Sequence, residues 1–405
     1  MLNWRDQRLW ALGANSAYAL ASFVLGWLLL QQGDTGSYGS FAFYLLLQAF
    51  GYGIVNALFG APLLIAFRSG PVVARQLKPF LTLALLLAIF CSLLQGLVLF
   101  QQGVAMPAIG LLAFSSFCLV LRWFWRCVQQ NQAPLAVMLG DLCFSLVALG
   151  GAVWCWSQET VSLWSLSLVL LLAALASALP SWRLQLETLG ARADWSLWQH
   201  GYQQQGKPAL SGVVTVEVTA NSYQYLIVLL QGAAALAPIA AAGLFLRPMT
   251  LMQSSLAQIE RPRLAIAAAA GEHKTLQRIW RSFLRWNLLA FGVNVLLVLL
   301  LLWLMPAALW PAPDGMTHFL NCAGFVAAAA LLRSWRGPAS TLLQAMDQFQ
   351  FLATVTWRAS LLTVPLVAAG LLLGGIYGAL LAMLLGECAV AWPIIRRCRQ
   401  LVRAN

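Results

Sequence analysis

The chain has 405 residues, 61% of them apolar and 9% charged, and 24 Lys and Arg against 12 Asp and Glu give it a net charge of +12. Apolar runs of the length found here exclude an ordinary water-soluble core. No basic domain is left over to carry the positive charge to a nucleic acid, so the charge must have another meaning.

In chain order, runs that reach the about 20 residues a bilayer-crossing helix needs fall at 10–31, 41–66, 79–100, 104–124, 138–156, 161–180, 208–230, 236–258, 283–305, 317–339, 350–371 and 374–395. The first follows Arg5 and Arg8 and contains Ala19-Leu20-Ala21, which imitates a cleavage site. Apolar sequence continues beyond it to Leu30, so an uncleaved helix is expected. Folded back and forth, the runs place Arg68, Arg75, Lys78, Arg122, Arg126, Arg183, Arg192, Lys207, Arg261, Lys274, Arg278 and the stretch Arg396–Arg403 in turns on one side. The opposite turns hold Asp34, Glu159, Asp314 and His318 and no basic residue. Short basic loops stay in the cytoplasm, which predicts a multi-pass protein of the inner (cytoplasmic) membrane with both termini cytoplasmic. The charge then also attracts anionic membrane lipids. Trp10, Trp123, Trp156, Trp182, Trp286, Trp310, Trp335 and Trp392 fall near run ends, where indole rings settle at the headgroup level. Eight cysteines are present, none with metal-ligand spacing, and are read as small apolar fillers.

The expected fold is all-α and integral to the membrane, with about twelve spans in two parallel six-helix bundles. Residues 1–180 form the first bundle, 181–207 a polar cytoplasmic linker with the run Gln203-Gln204-Gln205-Gly206, and 208–405 the second bundle. An offset of 200 residues aligns Gln31 with Gln231 and Pro62 with Pro262. Such a parallel repeat sets two bundles across a cleft, the plan of an alternating-access transporter.

Several local features resemble a known family. Asn15 in the first span, the outer turn Gly33-Asp34-Thr35-Gly36-Ser37-Tyr38-Gly39 and Pro62 at the end of the second span are one set. Ala242-Gly243-Leu244-Phe245-Leu246-Arg247 and the later Pro262-Arg263-Leu264 are another. Together they resemble the Wzx-like polysaccharide and O-antigen flippases, the polysaccharide-transporter branch of the MOP superfamily of MATE-like exporters. The resemblance implies a flippase that moves a lipid-linked oligosaccharide of the polyprenyl-pyrophosphate type during surface polysaccharide or lipopolysaccharide biosynthesis. It implies no cofactor and no enzymatic step, and it makes other polysaccharide-assembly proteins candidate partners. The chain departs from the family in its abundance of Trp and Ala.

Ionisable groups inside a bilayer are costly and mark candidate sites. Glu217 and Arg247 lie about 13 and 16 Å in from the cytoplasmic ends of spans seven and eight. Their matched depth predicts an ion pair, with Arg247 contacting an anionic head group beside a helix that Pro248 breaks. Arg358 and Glu387, each about 12 Å in on neighbouring helices, predict a structural ion pair. At the cytoplasmic mouth, Arg122-Trp-Phe-Trp-Arg126 and Arg333-Ser-Trp-Arg336 occupy corresponding places in the two halves. Interleaved guanidinium and indole groups suit a pyrophosphate, and they equally serve as positive-inside anchors. Gln48, Asn56, Thr215, Thr219, Asn221 and Gln224 either join helices or line a sugar-compatible cavity.

Other readings fit less well. A MATE-type drug or cation antiporter of the same superfamily would carry acidic coupling residues, and none lies between Trp10 and Gln31. A glycosyltransferase needs a catalytic platform that no outer loop is long enough to build. A major-facilitator protein would carry both acid and base in the turn from Arg68 to Arg75, which holds no acid. A scaffold leaves charges at depth without a purpose. No Gly-rich phosphate loop ending in Lys-Ser/Thr is present to hold a nucleotide.

Overall fold

The computed structural model describes residues 4–403 apart from 70–71, 159–160, 312–314 and 347. Glu159 and Asp314 therefore lie outside the described residues, as do the side chains of Arg5, Arg8, Asn15, Arg68, Pro262 and Arg403. Hydrocarbon offers no partner to a backbone N–H or C=O, so segments of this composition must close their hydrogen bonds internally. The described residues do so as helices, with no strand.

The first compact unit is 1–214. It begins with α1 (Trp4–Gln32), α2 (Thr35–Val55) and α3 (Ala61–Ser69), the last two joined by a π-helical turn at Asn56–Gly60. Then come α4 (Ala74–Gln101), α5 (Met106–Gln132), α6 (Pro134–Trp156), α7 (Leu163–Ala178), α8 (Trp182–Gly190) and α9 (Ser196–Gly201). A second π turn, Tyr202–Gly206, leads into α10 (Lys207–Gln231), within which the division between the units falls. The second unit, 215–405, continues with α11 (Ala233–Phe245), α12 (Arg247–Ala269), α13 (His273–Leu304), α14 (Pro306–Leu309), α15 (Met316–Ala345) and α16 (Phe349–Arg403).

Nine of the described helices are long and apolar enough to cross a membrane, or ten if the pair α11 and α12, bent by 51°, counts as one broken span. One of the nine, α16, is two spans. At Gly375 its backbone turns to φ 59° and ψ −148°. A Cβ built on Gly370 would lie 2.4 Å from the carbonyl oxygen of Gly378, and one on Gly386 would lie 2.4 Å from Thr363 Oγ1. Residues eight apart on a straight helix are separated by about 12 Å. The chain has therefore reversed, and 349–374 and 376–403 are antiparallel arms joined at Gly375. Only glycine adopts such a turn without strain, and small residues let the arms close.

Helix starts follow local chemistry. Asp34 caps α2 by accepting from the Ser37 backbone N–H at 2.8 Å. Burial pushes the Asp34 carboxyl up, but the hydrogen bonds from Ser37 and Gly36 outweigh it and hold it below the usual carboxylate range. This cap therefore contributes above the unfolded pKa and is lost as pH falls through the folded one. Asp34→Ala will cost about 1 kcal/mol in thermal unfolding near neutral pH, and the difference from wild type will shrink in acid.

In the first unit α1 packs on α6, α4 on α5, and α7 on both α5 and α6. Phe59 in the π turn meets the edges of Phe80 and Phe124, with centroids 6.4 and 5.6 Å apart. The segment read as a polar cytoplasmic linker, 181–207, is packed against this unit. Lys78 Nζ donates to Leu189 O at 2.5 Å and the Asp194 N–H to Arg75 O at 3.0 Å, which fixes α8 and its following turn to α4. The π turn at 202–206 packs on the one at 56–60. In the second unit α15 packs on α11, α12, α13 and α16. Most run-end tryptophans are exposed, as a headgroup belt requires, but Trp310 is 5% exposed and stacks on Phe319. All eight cysteines are free thiols.

Candidate functional site

Arginines four apart on a helix share a face, and Arg122 and Arg126 on α5 both turn toward α6. There Asp141, 3% exposed, accepts from both: from Arg122 in a short ion pair and from Arg126 Nη1 at 3.1 Å. The Arg122 guanidinium also sits over the rings of Tyr18 and Phe144, at 4.6 and 5.0 Å from their centroids. Its Nη1 is buried without a hydrogen-bond partner, so the ring faces are what stabilise it there. Arg126 lies 5.0 Å over Trp123, whose indole stacks on Tyr52 at 4.3 Å and donates to Asn56 in the π turn at 3.0 Å.

The second unit builds the same group from other helices. Arg333 and Arg336 on α15 share Glu387 on the second arm of α16, with Arg333 Nε at 2.6 Å from Oε1 and Arg336 Nη2 at 3.4 Å from Oε2. Glu387 is 4% exposed, and Tyr223 on α10 is buried beside the group. Each cluster therefore sets two guanidinium groups against one carboxylate and holds a formal excess of one positive charge. A buried charge pair is costly to desolvate, and leaving a further charge uncompensated is costlier still.

Four of the six substrate-site candidates are thus brought into two clusters, Arg122 with Arg126 and Arg333 with Arg336. Each pair closes on an acid, while the side chains of Arg333 and Arg336 stay 37% and 24% exposed. The structural ion pair expected between Arg358 and Glu387 is not formed. Glu387 turns to α15, and Arg358 is exposed. Equal depth on antiparallel arms set their height but not their azimuth. Glu217 and Arg247 do not form the expected ion pair either. The Glu217 carboxylate accepts from Tyr225 Oη, two turns further along its own helix, at 2.5 Å. Arg247 is half-buried at the first position of α12, after α11 ends at Phe245 and Leu246 caps both helices, and Pro248 occupies the first turn. The break that Pro248 predicts is therefore present.

Asp141 is the residue that sequence reasoning missed. Its signal was available: a lone acid inside the run 138–156, one short connection away from two arginines. Gln48, by contrast, is helix glue as expected. It accepts from Gln95 Nε2 at 3.1 Å and from Ser116 Oγ at 2.8 Å, binding α2 to α4 and α5. Thr219 likewise bonds to Ser360 between α10 and α16. Among the described residues no group of His, Cys, Asp and Glu is arranged to hold a metal.

No family model matches the sequence, and no curated protein matches it. Solved structures do share the fold. The lipid II flippase MurJ in an inward closed conformation superposes with a TM-score of 0.69 at 11% identity, covering 95% of this chain and 86% of that one. An inward-facing multidrug resistance MATE family transporter of the MOP superfamily gives 0.67 at 12% identity, covering 96% and 95%. A MATE structure in complex with MaL6 gives 0.62 at 11%, covering 98% and 95%. The fold is that of the MATE-like transporters.

Proposed function

We propose that this chain is a flippase that carries an anionic lipid-linked oligosaccharide, of polyprenyl-pyrophosphate type, from the cytoplasmic to the outer leaflet. The observation that carries this reading is the pair of Arg–Arg–carboxylate clusters, each with one positive charge in excess. A pyrophosphate supplies the missing negative charge and accepts forked hydrogen bonds from guanidinium groups. A fold shared with a lipid II flippase supports the same reading. Transport proceeds by alternating access of the bundles 1–180 and 208–405, with 181–207 between them, in the inner membrane with both termini cytoplasmic. No bond is made or broken, and Arg247 gives the head group a further contact.

The second reading, a MATE-type cation or drug antiporter, rests on Glu217. Glu217 is a half-buried carboxylate within a span, the kind of intramembrane acid that marks an ion pathway. Within the flippase reading the same residue is the coupling site. Glu217→Gln should then leave binding intact and remove the dependence of transport on an imposed proton or sodium gradient in proteoliposomes. Unchanged gradient dependence would remove Glu217 from the coupling step.

The deciding experiment deletes the gene in its own host and measures surface polysaccharide and lipid-linked oligosaccharide on the cytoplasmic leaflet. The expected result is loss of the first and accumulation of the second, rescued by wild type and not by Arg247→Ala. Normal amounts of both would sink the flippase reading and leave small-molecule efflux.

A further inference from the structure

Beside the break between α11 and α12, a cavity of about 210 Å³ lies between α12 and α13. Pro248, Met249 and Met252 form one wall, and Ala290, Val293 and Asn294 lie on the other. Leu289 and Val293 of its lining, with Leu296 and Leu300 further along α13, are 45–65% exposed and form a strip that a membrane protein presents to lipid.

One lining residue is out of keeping with the rest. Asn294 is the sole amide in the apolar run 288–304, about 9 Å from one end of that run and 15 Å from the other. It is 7% exposed, and its Oδ1 has no hydrogen-bond partner. An orphaned amide in hydrocarbon costs free energy that leucine would not. Because the two ends of an amide can exchange places, Asn294 can donate or accept one hydrogen bond into the cavity. Arg247, half-buried, is the residue immediately before Pro248 in the opposite wall. An apolar seat with one buried amide, lined by the residue that follows a basic one in sequence, matches a hydrocarbon chain close to the point where it joins a charged group.

We infer that this groove seats the head-proximal segment of the cargo's lipid tail, with Asn294 hydrogen-bonding the first polar linkage and Arg247 balancing the phosphate. The inference rests on the flippase reading and adds where the tail is held. The cavity has room for a short stretch of chain only. The remainder lies along the exposed leucines of α13, so the tail never leaves the bilayer while the head crosses.

The test uses the purified chain in lipid nanodiscs and two photoreactive probes. One is a polyprenyl pyrophosphate with a diazirine in the isoprene unit next to the pyrophosphate. The other is a phosphatidylglycerol with a diazirine in an acyl chain. The polyprenyl probe is expected to label 289–297 and to be competed by unlabelled polyprenyl pyrophosphate. Ala290→Trp fills the cavity and should abolish that labelling. Asn294→Leu should cut it about tenfold, the value of one lost hydrogen bond, while thermal stability holds or rises. A fall in stability would mean that Asn294 serves packing and would overturn its assigned role. Equal labelling of 289–297 by the phosphatidylglycerol probe, or labelling untouched by Ala290→Trp, would identify ordinary annular lipid and overturn the seat. If both variants restore surface polysaccharide to the deletion strain, the seat fails while the flippase reading stands. A deletion strain with normal glycans removes the flippase reading, and the cargo assignment with it.

Discussion

Asp141→Asn will cost about 3–5 kcal/mol of folding stability, the range seen when one partner of a buried ion pair is removed, and Glu387→Gln will cost less, because solvent reaches its partners Arg333 and Arg336. The expectation is stronger here than for a simple pair, since each carboxylate serves two guanidinium groups at once. With the acid gone, two positive charges face each other with no counter-charge in a medium that screens them poorly. Thermal unfolding in detergent will show the loss, and the amount of protein in the membrane will fall with it. Arg122→Gln and Arg333→Gln should behave differently. Each leaves one guanidinium on one carboxylate, a neutral pair that folds. If the excess charge is what holds the cargo, these arginine variants will accumulate normally and fail to move lipid-linked oligosaccharide, most clearly as a double variant. Arginine variants that transport normally would reduce both clusters to internal fastenings.

Gly378→Ala will cost about 3 kcal/mol, the upper part of the overpacking range. The added methyl carbon would stand 2.0 Å from the carbonyl oxygen of Gly370. That neighbour is backbone, so no side chain can swing aside to relieve the contact. Gly324, with nothing within 4 Å of the same position, is the matched comparison. Gly324→Ala should stabilise by about 0.5–1 kcal/mol, the ordinary gain from replacing glycine within a helix. Unfolding curves of the two alanine variants separate the closure of the hairpin from a general effect of removing glycine.

The helices were legible because a bilayer leaves little else for apolar runs to do. The bend before Pro248 was legible for a similar reason, since proline cannot continue the hydrogen-bond ladder. The partners of the charges were legible only in part. Depth follows from counting residues, but pairing depends on which way each side chain points around its helix and on which helices are neighbours. Glu387 shows the difference: Arg358 has the right depth on the adjacent arm, and Arg333 and Arg336 have the right direction from α15. Glu217 shows the other route to error, because its partner is an uncharged hydroxyl eight residues away on the same helix. The two π turns left no sign in the hydropathy, since one extra residue in a turn barely alters an apolar pattern.

The reversal at Gly375 bears on how the protein is made. Leu372 and Leu373, 77% and 90% exposed, lead directly into the glycine, and Ile376 follows it. The tip of this hairpin therefore carries no charged or hydrogen-bonding side chain from 371 to 376. Most hairpins must drag a polar loop through hydrocarbon during insertion, at a cost of several kcal/mol for each unsatisfied group. Here only a turn of backbone has to pass. The two arms can enter the membrane together, as one preformed wedge, while the arginines of 396–399 hold the trailing end at the surface where synthesis takes place.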